Sequence, residues 1–252
     1  MRTYTVAVSG VLAAILTVSS GARADAACPN NSNTLKLYGN PDLSGSNQVW
    51  LGRVAFLGSY VLAAYIRTGT SSCASYLVTD PNGQLLTGQY FHNNICAGAG
   101  NDSVDVLPPP PSTCTNLPTM SAWNYNGYDL AVYGEAGNDV FQDGAGKDAF
   151  WGGPGADIAY FDRGGTLEPF KGESDNDWVN HYNYNGVLYG GDGADVLMQT
   201  RCDSYSDIFL GEAGNDHLYD KNQSYYYFDG GAGTDQCFPM ANCEALWSVT
   251  GC

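Results

Sequence analysis

Apolar side chains in the C-terminal part of this chain recur at long, nearly constant intervals. Phe141, Phe150, Ala159, Phe170, Val179, Leu188, Leu197, Phe209, Leu218, Phe228 and Cys237 follow one another at nine residues, or at nine plus a short insertion. An amphipathic helix needs an apolar residue every three to four positions, so this interval excludes one. It suits a stack of very short strands, each sending one side chain into a shared core. The predicted fold is all-β: a parallel β-roll in which two nonapeptides make one coil of turn, strand, opposite turn and returning strand. The nonapeptides start at positions 134, 143, 152, 163, 172, 181, 190, 202, 211, 221 and 230. Phe161-Asp162, Gln199 to Arg201 and Asp220 are read as insertions between them.

Between the apolar positions lie glycine-rich hexapeptides that each end in aspartate. They are GEAGND (Gly134 to Asp139), GGPGAD (Gly152 to Asp157), GESDND (Gly172 to Asp177), GGDGAD (Gly190 to Asp195), GEAGND (Gly211 to Asp216) and GGAGTD (Gly230 to Asp235), spaced by 18, 20, 18, 21 and 19 residues. A fixed period in this range marks a solenoid. These six turns occupy one edge of the predicted roll. The sixth positions on the other edge are Asp148, Glu168, Gly186, Asp207 and Tyr226, and only DGAGKD (Asp143 to Asp148) keeps the look of a metal turn there. An earlier copy, Ala97 to Asp102 followed by apolar Val104, lies 37 residues before Gly134. It reads as two coils away, with a degenerate coil between that carries Pro108 to Pro111, Pro118, Trp123 and Val132.

The formal charge is −16. Such a surface repels nucleic acid and anionic lipid. Clustered carboxylates also oppose compaction unless cations neutralise them. High glycine and aspartate content is compatible with disorder, but 13% aromatic residues supply a core that can be buried. Calcium suits the turns because it takes six to eight oxygens in flexible geometry, and glycines let successive backbone carbonyls approach one ion.

The repeat G-G-x-G-x-D-x-U-x, with U apolar, resembles the RTX, or haemolysin-type calcium-binding, repeat family over residues 97 to 238. The resemblance implies calcium ions held between corresponding turns of adjacent coils. They would be shared by Asp139 and Asp157, Asp157 and Asp177, Asp177 and Asp195, Asp195 and Asp216, and Asp216 and Asp235. It also implies metal roles for Asp102 and Asp148, and for the turn glycines Gly134, Gly137, Gly152, Gly155, Gly190, Gly193, Gly211, Gly214, Gly230 and Gly233. GESDND departs from the motif, with Ser174-Asp175 in place of x-Gly; Asp175 either adds a ligand or marks a distorted turn. The competing reading is a metal-free solenoid whose aspartates bond their own turn amides.

Residues 1–26 read as a signal peptide: Arg2, an apolar run from Val6 to Val18, and a small-residue cleavage site at Ala24-Asp25-Ala26. The expected product is exported, spans no membrane, and carries 8 basic against 25 acidic residues. Lipidation at Cys28 is weighed against the absence of leucine three residues before it. All eight cysteines follow the cut, which favours disulfides; Cys96 with Cys114 and Cys237 with Cys243 are the pairings that proximity suggests.

Residues 27–95 lack the repeat and are expected to form a β-rich cap over the first coil; residues 239–252, with Trp247, are expected to plug the last. Within the cap, Ser75 to Val78 and Gln84 to Thr87 flank a hairpin signal, Asp80-Pro81-Asn82-Gly83. Val54 to Ile66 is either a strand pair or a short helix.

No HExxH, no CxxC and no GxSxG after the signal occur, and His92, His181 and His217 are scattered. The expectation is a calcium-binding scaffold without catalysis. Tyr182, Tyr184, Tyr189, Tyr205, Tyr219 and Tyr225 to Tyr227 leave open a calcium-dependent glycan-binding face, against the alternative that they pack between coils.

Overall fold

The computed structural model describes residues 2–5, 15–18, 36–37, 47–56, 59–68, 74–79, 93–105, 130–144, 146–162, 169–182, 186–200, 206–220, 225–239 and 246–250. No helix occurs among them. Two sheets of parallel strands enclose the apolar column. One runs Asn93–Cys96, Leu130–Tyr133, Ala149–Pro154, Pro169–Ser174, Val187–Asp192, Ser206–Ala213, Tyr225–Asp229 and Leu246–Thr250. The other runs Ser103–Asp105, Val140–Gln142, Ile158–Phe161, Trp178–His181, Val196–Gln199, His217–Asp220 and Gln236–Pro239. This is the expected all-β roll.

The core is two files of side chains held in register by the ladders. Val132, Phe150, Phe170, Leu188, Phe209 and Phe228 pair in sequence down one sheet. Val104, Phe141, Ala159, Val179, Leu197, Leu218 and Cys237 pair down the other. All are buried except Cys237, which is partly so. Aromatic rings fill the interior: Phe141 stacks on Phe150 at 5.1 Å, and Phe209 meets Phe228 edge-on at 4.9 Å. Phe209→Ala would leave a ring-sized void that neighbouring coils cannot close, so a loss of about 3–5 kcal/mol is expected in urea melts at saturating calcium.

The register corrects two sequence expectations. Phe161, His181, Gln199 and Asp220 pair with one another in turn, so Phe161, Gln199 and Asp220 are strand residues rather than insertions. These strands bury two side chains each, not one. The second inward position escapes a hydrophobicity scan because three of its four residues are polar. The earlier motif copy is also one coil away, not two. Cys96 lies opposite Tyr133, Ser103 opposite Val140, and the Val140 amide donates to the Asp102 carbonyl at 2.8 Å. Trp123 and the prolines expected in an intervening coil lie outside the described residues.

The N-terminal region continues the second sheet instead of merely covering it. Asn47–Phe56, Ser59–Thr68, Ala74–Thr79 and Lys36–Leu37 form an antiparallel meander, and Asn47–Phe56 pairs in parallel with Ser103–Asp105. Val54 to Ile66 is thus a strand pair. The partner strand of the hairpin signal at residues 84–87 lies outside the described residues. Arg2–Thr5 and Ile15–Val18, within the segment read as a signal, form a separate antiparallel pair. At the other end Leu246–Thr250 adds a parallel strand beside Tyr225–Asp229. No described cysteine is free; Cys114 and Cys243, the partners suggested for Cys96 and Cys237, lie outside the described residues. No described helix is long and apolar enough to cross a membrane.

Candidate metal centre

Each hexapeptide turn is shaped by two left-handed residues, its second and fourth. The fourth is glycine at Gly100, Gly137, Gly155, Gly193, Gly214 and Gly233, with φ between 130° and 154°. A Cβ there would strike the carbonyl of the equivalent residue in the preceding coil, as Gly193 would meet the Asp175 carbonyl and Gly233 that of Gly214. Gly193→Ala therefore combines left-handed strain with a backbone clash, and a loss of about 2–4 kcal/mol is expected in thermal melts. GESDND keeps this turn: Asp175 takes the fourth position at φ 73°, is exposed, and stacks its carbonyl on Gly193. Aspartate tolerates the left-handed region better than most residues. The second position is held by glutamate in three turns, Glu135, Glu173 and Glu212, at φ 70°, 82° and 73°. Each carries a backbone cost of about 1–2 kcal/mol that glycine would avoid.

The sixth-position aspartates form one continuous ladder. Oδ1 of Asp139 accepts the Asp102 amide at 2.7 Å, and the same contact recurs from Asp139 to Asp157, Asp157 to Asp177, Asp177 to Asp195, Asp195 to Asp216 and Asp216 to Asp235, at 2.7–2.9 Å. Asp102 and the five aspartates from Asp139 to Asp216 are buried; Asp235, at the end, is half-buried. Their second oxygens are the telling atoms. Oδ2 of Asp139, Asp157, Asp177, Asp195, Asp216 and Asp235 is shielded from solvent and accepts no hydrogen bond. Each lies against the first glycine of its own turn, where a Cβ would collide with it: Gly134, Gly152, Gly172, Gly190, Gly211 and Gly230. At Gly134, Gly172, Gly190 and Gly211 the same space also holds the carbonyl of the next coil's first glycine. Two acceptor oxygens brought together without a donor call for a cation.

Electrostatics point the same way. Burial, reinforced by neighbouring carboxylates, pushes Asp177 up to about 9, Asp157 to about 8, Asp139 and Asp195 to about 7 and Asp216 to about 6. Without an ion, Asp157 and Asp177 resist ionisation at neutral pH, and Asp139 and Asp195 are poised at it. The donor set is hard oxygen: two carboxylates per junction plus backbone carbonyls, which suits calcium. Among the described residues no three His, Cys, Asp or Glu side chains converge on one point, so an ion at a junction would rely on backbone carbonyls beside its two carboxylates.

On the opposite edge, Asp207 and Asp148 meet protein donors where the ladder leaves oxygens bare. Asp207 Oδ1 accepts the Gly186 amide at 2.6 Å, and its Oδ2 is approached by Gln199 Nε2 at 3.4 Å, with His181 Nδ1 3.8 Å from Oδ1. Burial holds His181 down at about 3 and thus neutral. Asp148, expected from sequence as a ligand, sits on this edge with Oδ1 bonded by the Leu130 amide at 3.1 Å and Oδ2 by the Gly144 amide at 2.9 Å. That arrangement locks a turn. Sequence reasoning missed the buried row of Asp143, Phe161, His181, Gln199 and Asp220, of which Gln199 and His181 approach Asp207; a mostly polar position recurring two residues past each inward apolar one was the available signal.

The tyrosines that are described pack mainly between coils. Tyr133 stacks on Trp151 and Tyr219 on Phe238, each at 4.8 Å, and Lys171 Nζ lies 5.4 Å from the centre of the Tyr189 ring. Tyr182 is exposed, Tyr227 donates to Asp229, and Tyr184 and Tyr205 lie outside the described residues.

Comparison with known families agrees with this geometry. Residues 132–165, 182–198 and 203–220 match the RTX calcium-binding nonapeptide repeat, in four copies. The roll is thus a parallel β-solenoid, and these segments of it carry RTX calcium-binding nonapeptide repeats. No curated protein and no solved structure matches the chain significantly.

Proposed function

We propose that this chain is an exported, non-catalytic scaffold whose folding is completed by calcium bound along the Asp139–Asp235 edge. The carrying observation is the row of buried Oδ2 atoms that accept no hydrogen bond, one per coil. Each ion would lie between two turns, held by Asp139 and Asp157, Asp157 and Asp177, Asp177 and Asp195, Asp195 and Asp216, or Asp216 and Asp235, with carbonyls of the flanking turn glycines completing the shell. Asp102 extends the ladder by one junction toward the N-terminal meander. Export rests on the N-terminal signal pattern and on cysteines available for disulfides. Isothermal titration with calcium, after chelator treatment, tests the reading. Several equivalents bound with release of protons support it, and absence of calcium binding refutes it.

A calcium-dependent glycan-binding role is the second reading. One observation favours it: Phe238 is 40% exposed and stacks on Tyr219 beside His217, forming an outward aromatic platform. A glycan array probed with and without calcium decides it, since calcium-dependent signals lost in Phe238→Ala are what the platform requires.

A further inference from the structure

The ladder is not uniform, and from Asp139 to Asp235 three features alternate along it in phase; ahead of that stretch the Asp102–Asp139 junction is clasped as well, the Asn138 amide donating to Asn101 Oδ1 at 3.0 Å. The first is the residue at the left-handed second position. Glutamate stands at Glu135, Glu173 and Glu212, and glycine at Gly153, Gly191 and Gly231, in strict succession. The second is a clasp at the fifth position. Asn138, Asn176 and Asn215 each use Oδ1 to accept the fifth-position amide of the following coil, at Ala156, Ala194 and Thr234, over 3.1, 2.7 and 2.9 Å. Ala156 and Ala194 have no side-chain acceptor to pass on, so the junctions from Asp157 to Asp177 and from Asp195 to Asp216 lack this clasp. The third is coil length. The ladder aspartates are 18, 18 and 19 residues apart across clasped junctions, but 20 and 21 across unclasped ones.

From this we infer that the roll is built of two-coil blocks, 134–157, 172–195 and 211–235, and that the ions between blocks form a distinct, tighter class than the ions within them. Inside a block, protein hydrogen bonds already tie the two turns together. Between blocks the aspartate ladder bond persists, from Asp157 to Asp177 and from Asp195 to Asp216, but the asparagine clasp is missing and the turn that follows presents a glutamate instead. Glu173 lies within electrostatic reach of Asp157, and Glu212 of Asp195. The buried Oδ2 atoms of Asp157 and Asp195 accept no hydrogen bond. Calcium affinity rises with the negative charge gathered at its site. The strained glutamate backbone fits this role, since glycine, used on alternate coils, makes the same turn without strain but adds no charge.

The inference rests on calcium binding at the ladder, and its test separates the two. Calcium titration against a competing chelator should resolve a tight phase from a weaker one. In the Glu173→Gly/Glu212→Gly double variant, which relieves backbone strain and so retains the fold, the tight phase should weaken about tenfold or more while the weaker phase stays in place. Glu173→Gln/Glu212→Gln, which keeps side-chain bulk and strain, should weaken it equally. Asn138→Ala/Asn176→Ala/Asn215→Ala should shift the weaker phase and spare the tight one. A single phase, or a tight phase unmoved by either glutamate pair, overturns the block arrangement while leaving the calcium ladder standing. No calcium binding at all overturns both.

Discussion

With calcium chelated at pH 8, the protein is expected to lose most of its far-ultraviolet β-sheet signal and to regain it when calcium is restored in excess. Five aspartates on one edge are buried from solvent, with an acceptor oxygen apiece that no protein group satisfies. Leaving buried polar atoms bare costs about 1–3 kcal/mol each, more when they are charged. Self-repulsion across the whole chain, whose formal charge is −16, adds to this cost. Saturation at one hundred times the dissociation constant returns about 2.7 kcal/mol per ion. Over several junctions this is of the same order as the whole stability of an ordinary domain, about 5–15 kcal/mol. Circular dichroism with chelator and then calcium reads the change; a spectrum and melting temperature indifferent to calcium contradict it.

The second large effect is a reversal of pH dependence. In chelator, Asp139, Asp157, Asp177, Asp195 and Asp216 hold protons well above the ordinary aspartate value of 3.8, at about 6 to 9. A raised carboxyl pKa means that the folded state binds more protons than the unfolded one between those limits. This stabilisation is full below about pH 4 and is lost as pH rises towards 9. The calcium-free melting temperature should therefore fall from pH 5 towards pH 7, by roughly 10 °C for a few kcal/mol in a chain of this size, until at pH 8 little folded chain remains to melt. Calcium must displace those protons to bind, so its affinity grows with pH. In millimolar calcium the melting temperature should rise over the same range. Parallel trends in the two conditions contradict the ladder as a shared site for protons and calcium.

Much of this was readable in the sequence, for a definite reason. In a solenoid the neighbours of a residue are its equivalents one coil away, so a linear period reports three-dimensional contact directly. Phe170 beneath Leu188 and Asp157 beneath Asp177 are consequences of that period. Contacts that break the period were not legible. His181, Gln199 and Asp207 form a polar cluster on the opposite edge, where residue type changes from coil to coil and only the register unites them. The antiparallel meander was half legible. Val54 to Ile66 is apolar at too many consecutive positions to declare a strand period, and it was the pairing of Asn47–Phe56 with Ser59–Thr68 that resolved it. The nearness of Asp102 to Asp139 was hidden by 36 intervening residues, which sequence counting turned into a coil.

The most direct measurement of the central claim is anomalous diffraction from crystals grown in calcium. The account predicts anomalous peaks in a single row between successive turns from Asp139 to Asp235, each beside the Oδ2 atoms, with none at Asp148 or Asp207. An empty Asp139–Asp235 edge, or peaks on the opposite edge in its place, would contradict it.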